Sequence, residues 1–188
     1  MKRKVVALTG TIGSGKSEIA GILRTWGYKT VDCDLLAKQY ADSSEVVSQV
    51  EQLLGSECVS DGKLNRRAIR QKVFNDENLL KQYERIFFDG VRQLLTDTLQ
   101  AMDYEVVFVE IPVLDAFPFE FAEIWRVEAD REVQVSRVIS RDNVTVENAQ
   151  SILARQRNYD NVTRVIVNNG SLDELSKKVK QALLDSKL

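Results

Sequence analysis

The sequence predicts an α/β fold, a parallel sheet covered by helices on both faces, and three observations point to it. Short apolar runs that read as buried strands recur along the chain, at Lys4–Thr9, 104–111, 123–129 and Arg164–Val167. Stretches with helical periodicity lie between them, the pattern of a sheet whose crossovers cover both faces. The first run leads straight into Gly10-Thr11-Ile12-Gly13-Ser14-Gly15-Lys16-Ser17, a full match to G-x-x-x-x-G-K-[ST], and that octet opens onto a helix.

In chain order, Lys4–Thr9 is a buried strand by its apolar run. Residues 17–26 are helical, with Ile19, Ile22, Leu23 and Trp26 on one face, and Gly27 stops the helix. A second short strand follows at 28–31 and runs into Asp32-Cys33-Asp34. Residues 35–102 read as helical, with breaks at Gly55, Asp61-Gly62 and Asn75-Asp76. Residues 104–111, with Val106, Val107, Phe108 and Val109 in series, give the strongest strand signal, which Pro112 ends. Another strand is expected at 123–129, then helices at 131–140 and 146–156 around the polar break Asp142-Asn143. After Arg164–Val167 comes the turn Asn168-Asn169-Gly170. Ser171 is placed to cap a last amphipathic helix carrying Leu172, Leu175, Val179 and Leu183.

The whole chain, 1–188, reads as one domain in three parts: a core (about 1–34, 103–136 and 159–188), a helical insertion (about 35–102) and a helical lid (about 137–158). A chain of this size buries ~70% of the surface its unfolded form exposes. A net charge of −2 gives no reason to expect nucleic-acid binding. With no histidine in the sequence, a Ser-His-Asp triad, imidazole bases and histidine-ligated zinc are excluded. Cys33 and Cys58 have no metal-ligand spacing and read as free thiols in a reducing compartment. The apolar run after Lys2-Arg3-Lys4 is too short for a membrane span or a signal sequence, so a cytoplasmic protein with no membrane partner is expected.

The octet carries the first chemistry. A strand, a glycine-rich turn and a helix N-terminus together aim backbone N–H groups at one anion, and the helix dipole favours its charge. Residues 11–18 (Thr11, Ile12, Gly13, Ser14, Gly15, Lys16, Ser17 and Glu18) line that hole, with Lys16 a point charge for the outer phosphates and Ser17 a hydroxyl for magnesium. A nucleoside triphosphate is the expected ligand. Asp32 and Asp34 end the second strand, where a carboxylate can take a proton from an attacking hydroxyl, hold magnesium through water, or simply cap a turn. Glu110 ends the third strand and is a candidate magnesium carboxylate, direct or through water, or a strand-end charge. Arg137, Arg141, Arg155 and Arg157 lie on the lid stretch, where guanidinium groups can surround a moving phosphoryl group. Arg141 is singled out because it begins the turn, and Arg137 lies one helical turn earlier.

Together these pieces resemble the dephospho-coenzyme A kinase family over nearly the whole chain. The likeness runs through Ala7-Leu8-Thr9-Gly10 and the loop, then Asp32-Cys33-Asp34 with Ala37, where the family reads D-A-D and an alanine. It continues through Asp61-Gly62-Lys63-Leu64-Asn65-Arg66-Arg67-Ala68-Ile69 and Val73-Phe74, the most discriminating segment. Arg141-Asp142 with Thr145, Ile152 and Gln156 resembles the family's lid, and Asn168-Asn169-Gly170 its adenine-side turn. The resemblance implies a nucleoside-monophosphate-kinase-like phosphate-loop fold in which ATP, with Mg2+, phosphorylates the ribose 3′-hydroxyl of dephospho-coenzyme A. It implies Asp34 as the base, Lys16 and the loop amides on ATP, Ser17 on magnesium, Arg141 closing over the transferred group and Asn169 on the adenine side. Arg66 is implied as an acceptor contact or a structural residue. A monomer or small homo-oligomer is expected.

The chain departs from the family at four places. Phe88-Asp89 stands where the family has His-Pro, and Pro112-Val113-Leu114-Asp115-Ala116 where it writes P-L-L-x-E. Glu18 replaces a threonine able to reach the α-phosphate, and residues 156–168 form a shorter segment. Two other readings accompany the leading one: a kinase of a nucleotide or another small hydroxyl substrate, and a catalytically weak nucleotide-binding regulatory paralogue.

Overall fold

The computed structural model describes residues 3–41, 43–74, 76–117, 119–186 and 188. Lys2, Asn75 (half of one expected break) and Pro118 lie outside the described residues. Along the chain run β1 (Lys4–Thr9), α1 (Lys16–Thr25), β2 (Lys29–Asp32), α2 (Cys33–Ala41), α3 (Ser44–Leu54), β3 (Val59–Ser60), β4 (Lys63–Leu64), α4 (Arg66–Val73) and α5 (Glu77–Ala101). There follow β5 (Val106–Glu110), β6 (Glu123–Glu128), α6 (Arg131–Asp142), α7 (Val146–Ala154), β7 (Arg164–Val167) and α8 (Leu172–Leu184). These form two compact units, Met1–Asp32 with Tyr104–Leu188, and Cys33–Asp103.

The first unit is built on a five-stranded sheet in the order β2-β5-β1-β6-β7, every pairing parallel. The chain crosses from β1 to the far edge at β2, returns through β5, then continues to the other side. The loop after β1 therefore leaves the carboxyl end of the sheet at its topological switch point, where parallel sheets bind ligands. Period-two alternation puts Val6, Leu8, Phe108, Trp125, Val127 and Ile166 in one buried cluster with Ile19, Ile22 and Leu23 of α1 and Leu175, Val179 and Ala182 of α8. Phe108 packs edge-to-face on Trp125 at 5.2 Å between ring centroids. Burying a side chain such as Phe108 contributes about 1.5–3 kcal/mol.

Helix α8 starts with a complete capping box: Ser171 accepts from the Glu174 N–H, and the Glu174 carboxylate accepts from the Ser171 N–H. Leu172 does not join its apolar face; it is 62% exposed because the buried stripe begins at Leu175. Trp26 is also off the buried face of α1, being 40% exposed at the residue that ends the helix.

The second unit has its own core, in which Val46, Val50, Leu54, Cys58, Ile69 and Val73 are packed by Tyr83 and Phe87. Helices α3, α4 and α5 begin where side chains cap them: Ser43 accepts from the Val46 N–H, Asn65 from Ala68 and Asp76 from Leu79. Asp61-Gly62, expected as a break between helices, is instead the turn of the β3–β4 antiparallel hairpin. Both turn residues have positive φ (51° and 70°), the two-residue geometry that Asp-Gly favours and that matches strand twist. Among the described residues, no helix is long and apolar enough to cross a membrane.

Candidate active site

The loop between β1 and α1 takes its shape from three glycines, Gly10 at φ +143°, Gly13 at φ +74° and Gly15 at φ +100°. Side-chain-bearing residues avoid this region. Gly15 is fixed twice over, because a Cβ there would lie 2.1 Å from Asn168 Nδ2 and 2.7 Å from a Glu18 carboxylate oxygen. Lys16 folds back across the loop, and its ammonium donates to the Gly10 and Thr11 carbonyls at 2.7 and 3.2 Å. Its charge is thereby held over the loop's opening segment.

Ser17, in the first turn of α1, donates its hydroxyl to Glu110 Oε2 at 3.0 Å. Glu110 ends β5, is 6% exposed and pairs in register with Asp32 of β2. Burial pushes the Glu110 carboxyl above its ordinary range. The Ser17 hydrogen bond and the Arg24 and Lys16 cations pull against that, and Asp32 adds to it. A buried carboxyl beside a hydroxyl at the loop's exit is an all-oxygen donor set suited to a hard cation.

Behind the loop, α6 and the turn after β7 supply three side chains. Gln134, buried, donates to Thr11 Oγ1 at 2.7 Å. Arg137 donates to the Gly13 and Ser14 carbonyls at 3.1 and 3.3 Å. Asn168, 2% exposed, donates to the Ser14 carbonyl at 3.0 Å and to Glu18 Oε2 at 2.7 Å. Glu18 is thus engaged by Asn168 and lies 4.0 Å from Arg137. From beyond α7, Gln156 accepts from the Ile12 N–H at 2.5 Å. A cavity of about 350 Å3 beside the loop is lined by Thr11, Gln134, Leu153, Gln156, Asn158 and Val167.

Two expected residues engage other groups. Arg141, near the end of α6, faces Asp142, with Nε and NH2 each 2.8 Å from a carboxylate oxygen. The arginine lowers the Asp142 pKa. Arg137, one turn earlier, is the α6 arginine bound to the loop. Asn169 turns its side-chain oxygen to the Asp130 N–H at 2.7 Å, at the start of α6. Period two along β7 carries the signal for Asn168 over Asn169, since Ile166 and Asn168 share the buried face. Gln134 and Val138, one turn apart on α6, likewise mark that helix's buried face.

Asp34 and Arg66 belong to the second unit and meet there. Asp34, in the first turn of α2, and Arg66, the first residue of α4, line one cavity of about 530 Å3 with Lys38, Arg70, Tyr83 and Phe87. Three cations and one carboxylate around an aromatic and aliphatic wall suit a ligand that is both anionic and hydroxyl-bearing. Burial raises the Tyr83 phenol, and the nearby Arg66 pulls it back. Lys38 and Arg70 carry no sequence signal beyond helical spacing, one turn after Asp34 and Arg66.

The chain resembles known proteins over nearly its whole length. A sequence model described as "Dephospho-CoA kinase" matches residues 4–174. A dephospho-CoA kinase of Thermus thermophilus is 34% identical over 196 residues, covering 96% of this chain and 91% of the relative. The crystal structure of TT1252 from Thermus thermophilus superposes with a TM-score of 0.84 at 33% identity, covering 98% of both chains. Dephospho-CoA kinase from Campylobacter jejuni shares the fold with a TM-score of 0.68 at 19% identity, over 96% of each chain.

Proposed function

The chain belongs to the dephospho-CoA kinase family, the kinase of the last step of coenzyme A biosynthesis, and from that premise we propose how its residues divide the work. The loop amides of residues 11–18 and Lys16 hold the triphosphate of ATP, and the cavity beside Thr11 and Gln134 takes the nucleoside. The observation that carries this is the loop itself, with positive φ at Gly13 and Gly15, Lys16 folded over it and α1 opening from it.

The acceptor, dephospho-coenzyme A, belongs to the cavity lined by Asp34, Arg66 and Arg70. Asp34 takes the proton of the ribose 3′-hydroxyl as its oxygen bonds to the γ-phosphorus. The bond from that phosphorus to the β-bridging oxygen breaks, and ADP leaves. Arg66 and Arg70 hold anionic groups of the acceptor. Arg141, released from Asp142, is the lid's contribution to the charge of the transferring group. Ser17 and Glu110 fit Mg2+, which when bound to ATP neutralises developing charge on the phosphate oxygens. A cytoplasmic setting belongs to the same reading, supported by two buried free thiols.

A coupled assay of ADP release with ATP and a panel of acceptors tests this. Turnover with dephospho-coenzyme A, and phosphate on its 3′-oxygen, is expected. Turnover confined to another alcohol or nucleotide would overturn the acceptor assignment.

A further inference from the structure

Glu18 occupies the third position of α1, immediately after the loop, where two demands conflict. The helix N-terminus favours a carboxylate there. A triphosphate in the loop brings like charge to the same place. In the structure Glu18 lies against two donors rather than in the loop's mouth. Its Oε2 accepts from Asn168 Nδ2 at 2.7 Å and lies 4.0 Å from the Arg137 guanidinium. Both donors also bind loop carbonyls: Asn168 that of Ser14, Arg137 those of Gly13 and Ser14.

Resting on the reading that this loop holds ATP, we propose that Glu18 is a positioning residue, the internal counter-ion that holds Asn168 and Arg137 against the outer face of the loop. The carbonyl and N–H of one trans peptide point in opposite directions. Fixing the Ser14 carbonyl outward, with two donors, fixes the Gly15 N–H toward the phosphate side. The amide group of Asn168 has two hydrogens, and both are used, one on Ser14 and one on Glu18. A flipped amide would set its oxygen against two acceptors, so Glu18 locks the orientation that the clamp needs. Without Glu18 that second restraint is gone, and Arg137 loses its nearest compensating charge. The space for this arrangement exists because residue 15 has no Cβ.

The sign of the effect separates this role from that of a repulsive bystander. Titration calorimetry with Mg-ATP, and separately with inorganic tripolyphosphate, would be run without acceptor on wild type, Glu18→Ala, Glu18→Gln and Asn168→Asp. Glu18→Ala is expected to weaken both ligands by about tenfold, the scale of one hydrogen bond to a charged group. In turnover assays the loss should appear as a raised KM for ATP, since a role in ground-state binding appears in KM. Glu18→Gln, which still accepts from Asn168 but carries no charge, should fall between. Asn168→Asp, which faces two carboxylates together, should be at least as weak as Glu18→Ala. The isosteric Gln variant keeps the test open if Glu18→Ala unfolds. Binding as tight as or tighter than wild type in Glu18→Ala or Glu18→Gln would overturn the proposal. Failure of the ATP reading would look different: wild type itself would bind neither ligand.

Discussion

In the proposed reading, the loop after β1 and the cavity of the second unit solve the same problem, gripping a phosphorylated molecule, with different materials. The loop after β1 uses backbone. Its N–H groups, three positive-φ glycines and one folded-back lysine fall within eight consecutive residues. The cavity of the second unit uses side chains from three helices, Asp34 and Lys38 on α2, Arg66 and Arg70 on α4, Tyr83 and Phe87 on α5. Backbone recognition fits any triphosphate and tolerates no Cβ. Side-chain recognition selects one acceptor and degrades one contact at a time. Substitutions should therefore act on the two sites in different ways.

The largest expected effect is Asp34→Asn on the acceptor side. Loss of the general base should lower kcat about 10²–10⁴-fold while leaving ATP affinity nearly unchanged. Stopped turnover assays beside ATP titrations check it, and activity that survives largely intact removes Asp34 from the chemistry. Next comes Gly15→Ala on the donor side. The new Cβ would lie 2.1 Å from Asn168 Nδ2 at a φ of +100°. Both the loop and its clamp must shift, and ATP affinity should fall by about a hundredfold or more, against strain of about 1–3 kcal/mol. An alanine variant that binds ATP normally would show that the backbone cradle is not the grip.

Arg66→Ala should be milder, raising the KM for dephospho-coenzyme A about tenfold with the KM for ATP unchanged, as loss of one charge-assisted contact does. Equal rises in both KM values would assign Arg66 a structural role. Arg66→Lys should recover only part of the loss, because a lysine has no bidentate fork.

The same contrast governs what the sequence can tell. The fold class, the order of the strands along the chain and the bounds of β1 and β7 are legible because short apolar runs and the octet are local signals. The Asp61-Gly62 turn is legible in principle, since Asp-Gly is a hairpin signal. It reads as a helix break because the two flanking strands have only two residues each, too few for an alternation to register. Spacing alone assigns Leu172 and Trp26 to apolar faces. Each stands at a helix end, where the helical stripe no longer faces the sheet. Within the site, the octet can be read off directly. The residues that brace it, Gln134, Arg137 and Asn168, come from more than a hundred residues away, and only the folded sheet brings them to the loop. Lys38 and Arg70 are equally invisible until α2 and α4 line one cavity.

The smallest expected effect concerns Glu110, the one titrating group of the donor side that burial has shifted upward. A carboxyl whose pKa is raised on folding contributes stability that is fully present below its unfolded value. That contribution is lost as pH rises through the folded value. The nucleotide-free protein should thus lose some stability as pH rises above 4.5, the ordinary value for this group. Glu110→Gln keeps the shape and removes the charge. It should flatten that pH dependence and raise the Tm of the nucleotide-free protein at neutral pH. The same variant should need more Mg2+ for half-maximal turnover if Glu110 serves the proposed cation site, because the buried carboxylate is then missing. Thermal unfolding across pH, paired with magnesium titrations of activity, measures both. A variant that is no more stable, yet needs no more magnesium, would move Glu110 from the donor site to the role of a strand-end anchor for Ser17.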